Sequence, residues 1–519
     1  MQISSEFVVY LLFVLLCFTA CQSNYQKECK FQIQQNRIFI QGIGLFSRGF
    51  CHFLSIPYAK PPTLLHQFRS PQTIDLHNGV KFWNFTEKSS TCVQTNFDEN
   101  TLAGSEDCLY LNVFRKPWTD EKILQPVAVW IHGGTFNFGS AYTDLAEYPE
   151  QLIAENITVV TLNYRLGALG FLYRDNEDIA ENSGLKDQQE ALRWIQRNIA
   201  FFGGDSTSVT IMGWSAGSAA VSYHLYDHQS EGLFHAAIMM SGSFLNPWAY
   251  SPSPDICLNT LCEQLDISCG NYGHLKATLM DVEIEKNLPL LTVISFFGLR
   301  YPCFVPTGPP PHTLIKEKPP IDVPLMIGFT AHETIKQIEF DYSDVVYSNY
   351  NFPHPHQLTA IEDFLRNSVS ESNRTEILVF GDLIYGVIKF TEEYAQRTKA
   401  DTFLYKFNLN GGFHGDDLPL IFKNINSDGV KMNEKHDIGK VDDKVIRLWT
   451  NFIKFGNPTP LNDPTFNTLW TPYDAYKKRD YLNIGQPFKM ETLQNDTPFT
   501  IWDGIYECLY YGNCSHAPN

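Results

Sequence analysis

Ten consecutive residues restrict the fold of this chain more than any others. The apolar run SVTIM at 208–212 passes without a break into Gly213-Trp214-Ser215-Ala216-Gly217, and the small-residue segment SAAVSYHL follows at 218–225. This order predicts a strand buried on both faces, a sharp turn, and a helix that packs straight back on the strand. Glycine flanks the turn on both sides because a side chain there would collide with the strand or helix that closes it. Such a turn lifts the Ser215 hydroxyl clear of the carboxyl end of a sheet, where a neighbouring base can reach it. An ordinary glycine-rich strand–helix turn has the same local pattern, so the serine acquires a chemical role only with a second, independent element.

That element lies upstream. The run VAVWI at 127–131 leads into His132-Gly133-Gly134-Thr135-Phe136. A glycine pair after a strand exposes backbone N–H groups, which can hold the oxyanion of a tetrahedral intermediate together with the N–H that follows the nucleophile. The candidate donors are Gly134, Thr135 and Ala216, and one such donor lowers a barrier by roughly 3–4 kcal/mol.

Apolar, β-branched runs of the same character recur at 158–162 (TVVTL), 236–240 (AAIMM), 323–327 (VPLMI) and 402–407 (TFLYKF). Between them, 187–199 places Ala191, Leu192, Trp194 and Ile195 at helical spacing, and 441–455 reads as a helix near the C-terminus. Strand–helix alternation predicts an α/β fold, with a large, mostly parallel central sheet flanked by helices and carrying loop and helical insertions. No repeat or long linker divides the 519 residues, and the prolines at 306–311 and 319–320 read as loop. One domain over 24–519 is therefore expected. At 44% hydrophobic and 14% aromatic residues the chain is too apolar to be disordered.

Residues 7–20 (FVVYLLFVLLCFTA) are too few to span a bilayer but suit the core of a signal peptide at 1–21, with cleavage near 20–23. The stretch before it, MQISSE, lacks the usual Lys or Arg, which leaves an uncleaved anchor or a buried helix as the other readings. Ten of the twelve cysteines lie beyond this segment, an even number that suits disulfides in an exported chain. Sequons at Asn84, Asn156, Asn373, Asn495 and Asn513 point to a glycoprotein. No zinc-like Cys/His spacing occurs, and neither a metal nor an organic cofactor is expected. The net charge of −18 argues against nucleic acid and anionic membranes as partners. The polar tail YYGNCSHAPN lacks a lipid-anchor signal, and no stable membrane anchor is expected.

With both motifs in order, the chain resembles a type-B carboxylesterase of the cholinesterase-like α/β-hydrolase family over about 37–490. Segments that carry the resemblance include FLSIPYAKPP (53–62), SEDCLYLNV (105–113), NYRLGALGFL (163–172), GLKDQQEALRWIQRNIAFFGGD (184–205), GLFHAAIMMSGS (232–243) and WTNFIKFGNP (449–458). It implies Glu333, in VPLMIGFTAHET, as the acid and His414, in GGFHGDDLPLIF, as the base. Ser215, Glu333 and His414 follow the serine–acid–histidine chain order of that fold. His332 and His436 are rivals for the base, and Asp341 for the acid. The resemblance also implies the disulfides Cys92–Cys108 and Cys257–Cys269; Cys29–Cys51 is suggested by position. Cys262, Cys303, Cys508 and Cys514 remain unassigned. Arg165 and Asp187 match a structural ion pair, and Ser241 a serine near the triad.

Departures from the family pattern concern the site itself. Trp214 stands where the family usually has Glu: either a pocket wall beside the serine or a change that impairs or redirects catalysis. Thr135 replaces a frequent Gly or Ala, and Gln67 an Arg, which leaves Glu106 without its ion-pair partner. The short loop between Cys92 and Cys108 has no Trp, so no cation–π platform receives a choline and a neutral small-molecule ester is the expected substrate. These readings together describe a secreted serine carboxylesterase, monomeric or homodimeric, located outside the cell or in the secretory lumen. Since a base must be neutral to accept a proton, its activity should fall below about pH 6.5. The alternatives are a non-catalytic, neuroligin-like binding protein of the same fold and a lipase acting on long acyl chains.

Overall fold

The computed structural model describes residues 29–511 apart from 36–37, 64–65, 75–81, 97–100, 118–122, 144–148, 174–178, 253, 265–302, 334–375, 410, 423–438, 462, 467–468 and 495–496. Its strands are β1 (Cys29–Gln35), β2 (Ile38–Ser47), β3 (Phe50–Pro57), β4 (Phe82–Phe85), β5 (Gln94–Asn96), β6 (Thr101–Ala103), β7 (Tyr110–Arg115), β8 (Gln125–Ile131), β9 (Thr158–Leu162), β10 (Gly204–Trp214), β11 (Ala236–Met240), β12 (Leu325–Thr330), β13 (Thr402–Phe407), β14 (Asp480–Ile484) and β15 (Lys489–Thr492). Thirteen form one sheet in the order β1-β2-β3-β7-β9-β8-β10-β11-β12-β13-β14-β15, with β4 beside β2. From β9 to β14 every neighbouring pair is parallel; the pairs from β1 to β9 and the β14–β15 pair are antiparallel, and β4 joins β2 in parallel.

The runs read as doubly buried strands divide their side chains between two cores. In β8, Val127, Val129 and Ile131 enter one apolar cluster, whereas Ala128 and Trp130 enter the other. The period-2 pleat thus sends alternate residues to opposite faces, and both faces need apolar side chains because helices cover both. On the first face lie α1 (Ser183–Asn198), through Leu192, Trp194 and Ile195, and α2 (Ala216–Tyr226), through Ala219, Ala220 and Val221. On the second lies α3 (Gly439–Phe455), through Val445, Leu448, Trp449 and Phe452. Helix α1 begins four residues before the predicted start, after Asn182 in a left-handed conformation (φ 52°). The strand expected at 323–327 is instead Leu325–Thr330, because Pro324 cannot donate to the sheet ladder.

Cys29–Cys51 and Cys92–Cys108 are disulfide-bonded. The pairing expected for Cys257 is corrected: its partner is Cys303, with Cα atoms 5.5 Å apart, and not Cys269. Family analogy failed here because tertiary packing brings a cysteine 46 residues away within bonding distance. Cys262 is also disulfide-bonded. Cys269, Cys514 and the side chain of Cys508 lie outside the described residues. Asn84 and Asn156 are exposed, whereas Asn373, Asn495 and Asn513 lie outside the described residues. Among the described residues no helix is long and apolar enough to cross a membrane.

Candidate active site

Parallel strands end on the same side of a sheet, so the segments after β8, β10, β11, β12 and β13 converge there. Ser215 sits between β10 and α2 with φ 55° and ψ −121°, a conformation forced by the sharp reversal. Its N–H donates to the Met240 carbonyl at 2.8 Å, and its carbonyl accepts from Ala219 at 3.0 Å. Gly217 is obligatory: a Cβ there would lie 2.0 Å from the Ile131 carbonyl oxygen. Ser215 itself is only 9% exposed.

Glu333, fully buried, follows β12 with φ 39°. One carboxylate oxygen accepts from the Thr330 N–H at 2.7 Å, and the other lies 2.5 Å from His414 Nδ1. A carboxylate only accepts, so Nδ1 carries the proton and Nε2 is the basic nitrogen of the neutral ring. The loop after β13 that bears His414 is tied to the loop after β12 by Ala331 N–H to Phe407 O at 2.8 Å and His332 N–H to Gly412 O at 2.9 Å. These bonds fix the acid and the imidazole relative to each other. His332 is exposed. His436 and Asp341 lie outside the described residues.

The glycine loop after β8 turns through left-handed backbone at Gly134 (φ 105°), Thr135 (φ 50°) and Phe136 (φ 63°). His132 anchors its base: Nδ1–H donates to the Gly133 carbonyl at 2.8 Å, and the ring stacks on Tyr164 at 4.4 Å. Burial pushes the His132 imidazole down to about 4, so it stays neutral at physiological pH. Gln94 closes the far side, accepting from Gly139 N–H at 2.8 Å and donating to the Gly139 carbonyl at 2.9 Å. A Cβ on Gly133 would lie 2.9 Å from a Trp214 ring carbon and 3.3 Å from Ser215 Cβ, so the loop rests directly against the serine turn. Gly133→Ala is therefore expected to push the donors away and lower kcat by roughly a hundred-fold or more. Turnover, with thermal melting to show retained fold, checks this.

The model of the carboxylesterase family matches residues 39–502. The chain belongs to the carboxylesterase family. It is a serine esterase that hydrolyses carboxylic ester bonds. Esterase E4 of Myzus persicae is 29% identical over 86% of this chain and 88% of its own length. Juvenile hormone esterase of Heliothis virescens is 30% identical, covering 86% and 88%. A solved PNB esterase superposes with TM-score 0.72 at 25% identity, covering 87% of this chain and 95% of that one.

In this carboxylesterase the remaining predicted residues take varied places. Trp214, expected as a pocket wall, lays its ring against the His414 imidazole, with centroids 4.7 Å apart and 35° between planes. Gln67, standing where the family has Arg, donates its amide to Glu106 at 2.6 Å. Arg165 and Asp187 form a bidentate pair at 2.7 and 2.6 Å. Ser241 (φ 57°) lies on the turn after β11, beside Gly242, where a Cβ would come within 2.6 Å of the Ser215 carbonyl.

Two carboxyls near the imidazole escaped the sequence reading. Asp417 is fully buried and accepts from Tyr405 O–H at 3.2 Å. Asp382 lies on the π-turn Phe380–Ile384 and has one buried oxygen without a hydrogen-bond partner. Burial pushes each carboxyl up to about 7. Asp417 was visible as part of the segment HGDD, but nothing local marks it as buried. Its raised pKa means the folded state holds the proton more tightly than the unfolded chain. The resulting stability is present at acid pH and lost as pH rises from about 4 to about 7. Asp417→Asn should accordingly flatten the fall in Tm between pH 5 and 8, as read from melting curves.

Proposed function

We propose that this chain is a secreted carboxylesterase that works through Ser215, His414 and Glu333. The observation that carries the reading is the His414–Glu333 hydrogen bond, made by a loop that reaches the serine turn through Trp214. In this mechanism Ser215 Oγ attacks the ester carbonyl carbon while His414 Nε2 takes the hydroxyl proton. Glu333 holds the ring in the tautomer with Nδ1 protonated and stabilises the imidazolium. The N–H groups of Gly134, Thr135 and Ala216 receive the oxyanion. His414 then returns the proton to the departing alkoxide, and the acyl-enzyme is hydrolysed by water activated at the same Nε2.

Three disulfides among the described residues suit an oxidising compartment, which supports export after removal of the leader at 1–21. Residues 24–519 would then form one enlarged hydrolase domain, glycosylated at the exposed Asn84 and Asn156 among other sequons. The substrate is read as a neutral small ester. Incubation of the purified protein with a fluorophosphonate probe and then with p-nitrophenyl acetate tests the proposal. Labelling on the Ser215 peptide together with loss of turnover is expected. Turnover that survives complete labelling, or a folded protein with neither labelling nor turnover, would overturn it.

A further inference from the structure

We propose that Trp214 is the positioning residue of the base: its indole face holds the His414 imidazole over the serine turn and stabilises the imidazolium formed when Ser215 loses its proton. This rests on the reading of His414 as base and adds to it a group from outside the triad.

Three contacts converge on one ring. Trp214 faces the imidazole at 4.7 Å, well within the distance at which an aromatic face attracts a cation. On one side it meets the oxyanion loop, since a Cβ on Gly133 would lie 2.9 Å from the ring. On another it meets the histidine loop, since a Cβ on Gly415 would lie 3.0 Å away. The indole N–H is buried without a hydrogen-bond partner. Packing against the second apolar cluster, not a polar tether, therefore sets the ring's orientation. The backbone cannot drift either, because the next residue, Ser215, is bonded to Met240 of the neighbouring strand.

A carboxylate at this position would add charge beside the imidazolium; the indole supplies attraction through its π face and excludes water from that side. Three carboxyl groups act on His414 as well: Glu333 from the loop after β12, Asp417 from its own loop and Asp382 from the π-turn. Asp416, also in the histidine loop, accepts from the Phe413 N–H. All four are unchanged in Trp214 variants, so a difference between variants reports on the ring.

The test uses the full-length protein and p-nitrophenyl acetate from pH 5 to 9. Trp214→Leu should lower kcat roughly three- to thirty-fold with KM nearly constant. It should also move the acid limb of kcat/KM to lower pH by roughly half a unit, because the protonated ring loses its support. Trp214→Phe, which keeps an aromatic face, should restore most of both. Independently, the indole fluorescence difference between wild type and Trp214→Phe should show a quenching step as His414 gains its proton, absent in His414→Gln. A kcat within two-fold of wild type in Trp214→Leu, a loss confined to KM, or an unmoved acid limb would overturn the proposal. So would a fluorescence difference without a His414-dependent step, which decides the matter if Trp214→Leu does not fold. Lack of turnover by the wild type would instead refute the catalytic reading of Ser215, and the fluorescence titration would still report whether the ring faces a protonating imidazole.

Discussion

Ser215→Ala is expected to reduce turnover of a short aryl ester by about 10⁶-fold while leaving the fold intact. In the proposed mechanism the whole reaction passes through the Oγ–acyl bond, and no neighbouring side chain replaces that oxygen. The remaining rate would come from the oxyanion donors and substrate binding alone. Alanine keeps the backbone bonds of Ser215 to Met240 and Ala219, since both use main-chain atoms, so Tm should shift by only a degree or two. Adding His414→Gln to Ser215→Ala should cost almost nothing more, because the groups act as one unit. Rates equal to wild type would sink the assignment, as would two losses that multiply.

The second large effect concerns stability. Arg165→Met should destabilise the protein by roughly 3–5 kcal/mol, measured by urea unfolding. Asp187 is fully buried, and the guanidinium satisfies both of its oxygens at 2.7 and 2.6 Å. The same side chain donates to the carbonyls of Gln67 and Arg69 at 3.0 and 2.8 Å, so its loss also strips partners from an adjoining loop. An uncompensated buried carboxylate is the dominant cost, because water cannot replace the lost partner. Combining Arg165→Met with Asp187→Leu should therefore recover much of the loss. A single substitution costing under about 1 kcal/mol would mean that the pair is solvated and contributes like a surface bridge.

Much of this site was legible because its requirements are local. The strand into Gly213–Gly217, and the glycines after VAVWI, are fixed by sterics that act within a few residues. The doubly buried strands were legible for the same reason, since a parallel sheet covered on both faces needs apolar residues at every position. Glu333 and His414 were a different matter: each was reached by likeness to a family, not by any local pattern. Residues 333 and 414 become neighbours only when β12 and β13 pair and two backbone bonds join the loops beyond them.

Where the reading failed or stopped short, the missing information was three-dimensional. Cys257 was paired with the wrong cysteine because a family likeness does not measure the distance between cysteines in this fold. Gln67 cannot form the family's ion pair with Glu106, yet nothing in the sequence signals that its amide would donate to that carboxylate instead. Asp417 and Asp382 carry no sequence mark of their burial, although burial is what moves their proton affinity toward neutrality.

By itself, the sequence determined the α/β architecture, the serine turn and the glycine loop, because backbone sterics and apolar periodicity are written residue by residue. Only the tertiary structure decided what surrounds the imidazole. Trp214 read along the chain is a bulky neighbour of a serine. In the folded protein it faces a histidine two hundred residues away in sequence, and that contact exists only because parallel strands deliver their carboxyl ends to one edge of the sheet.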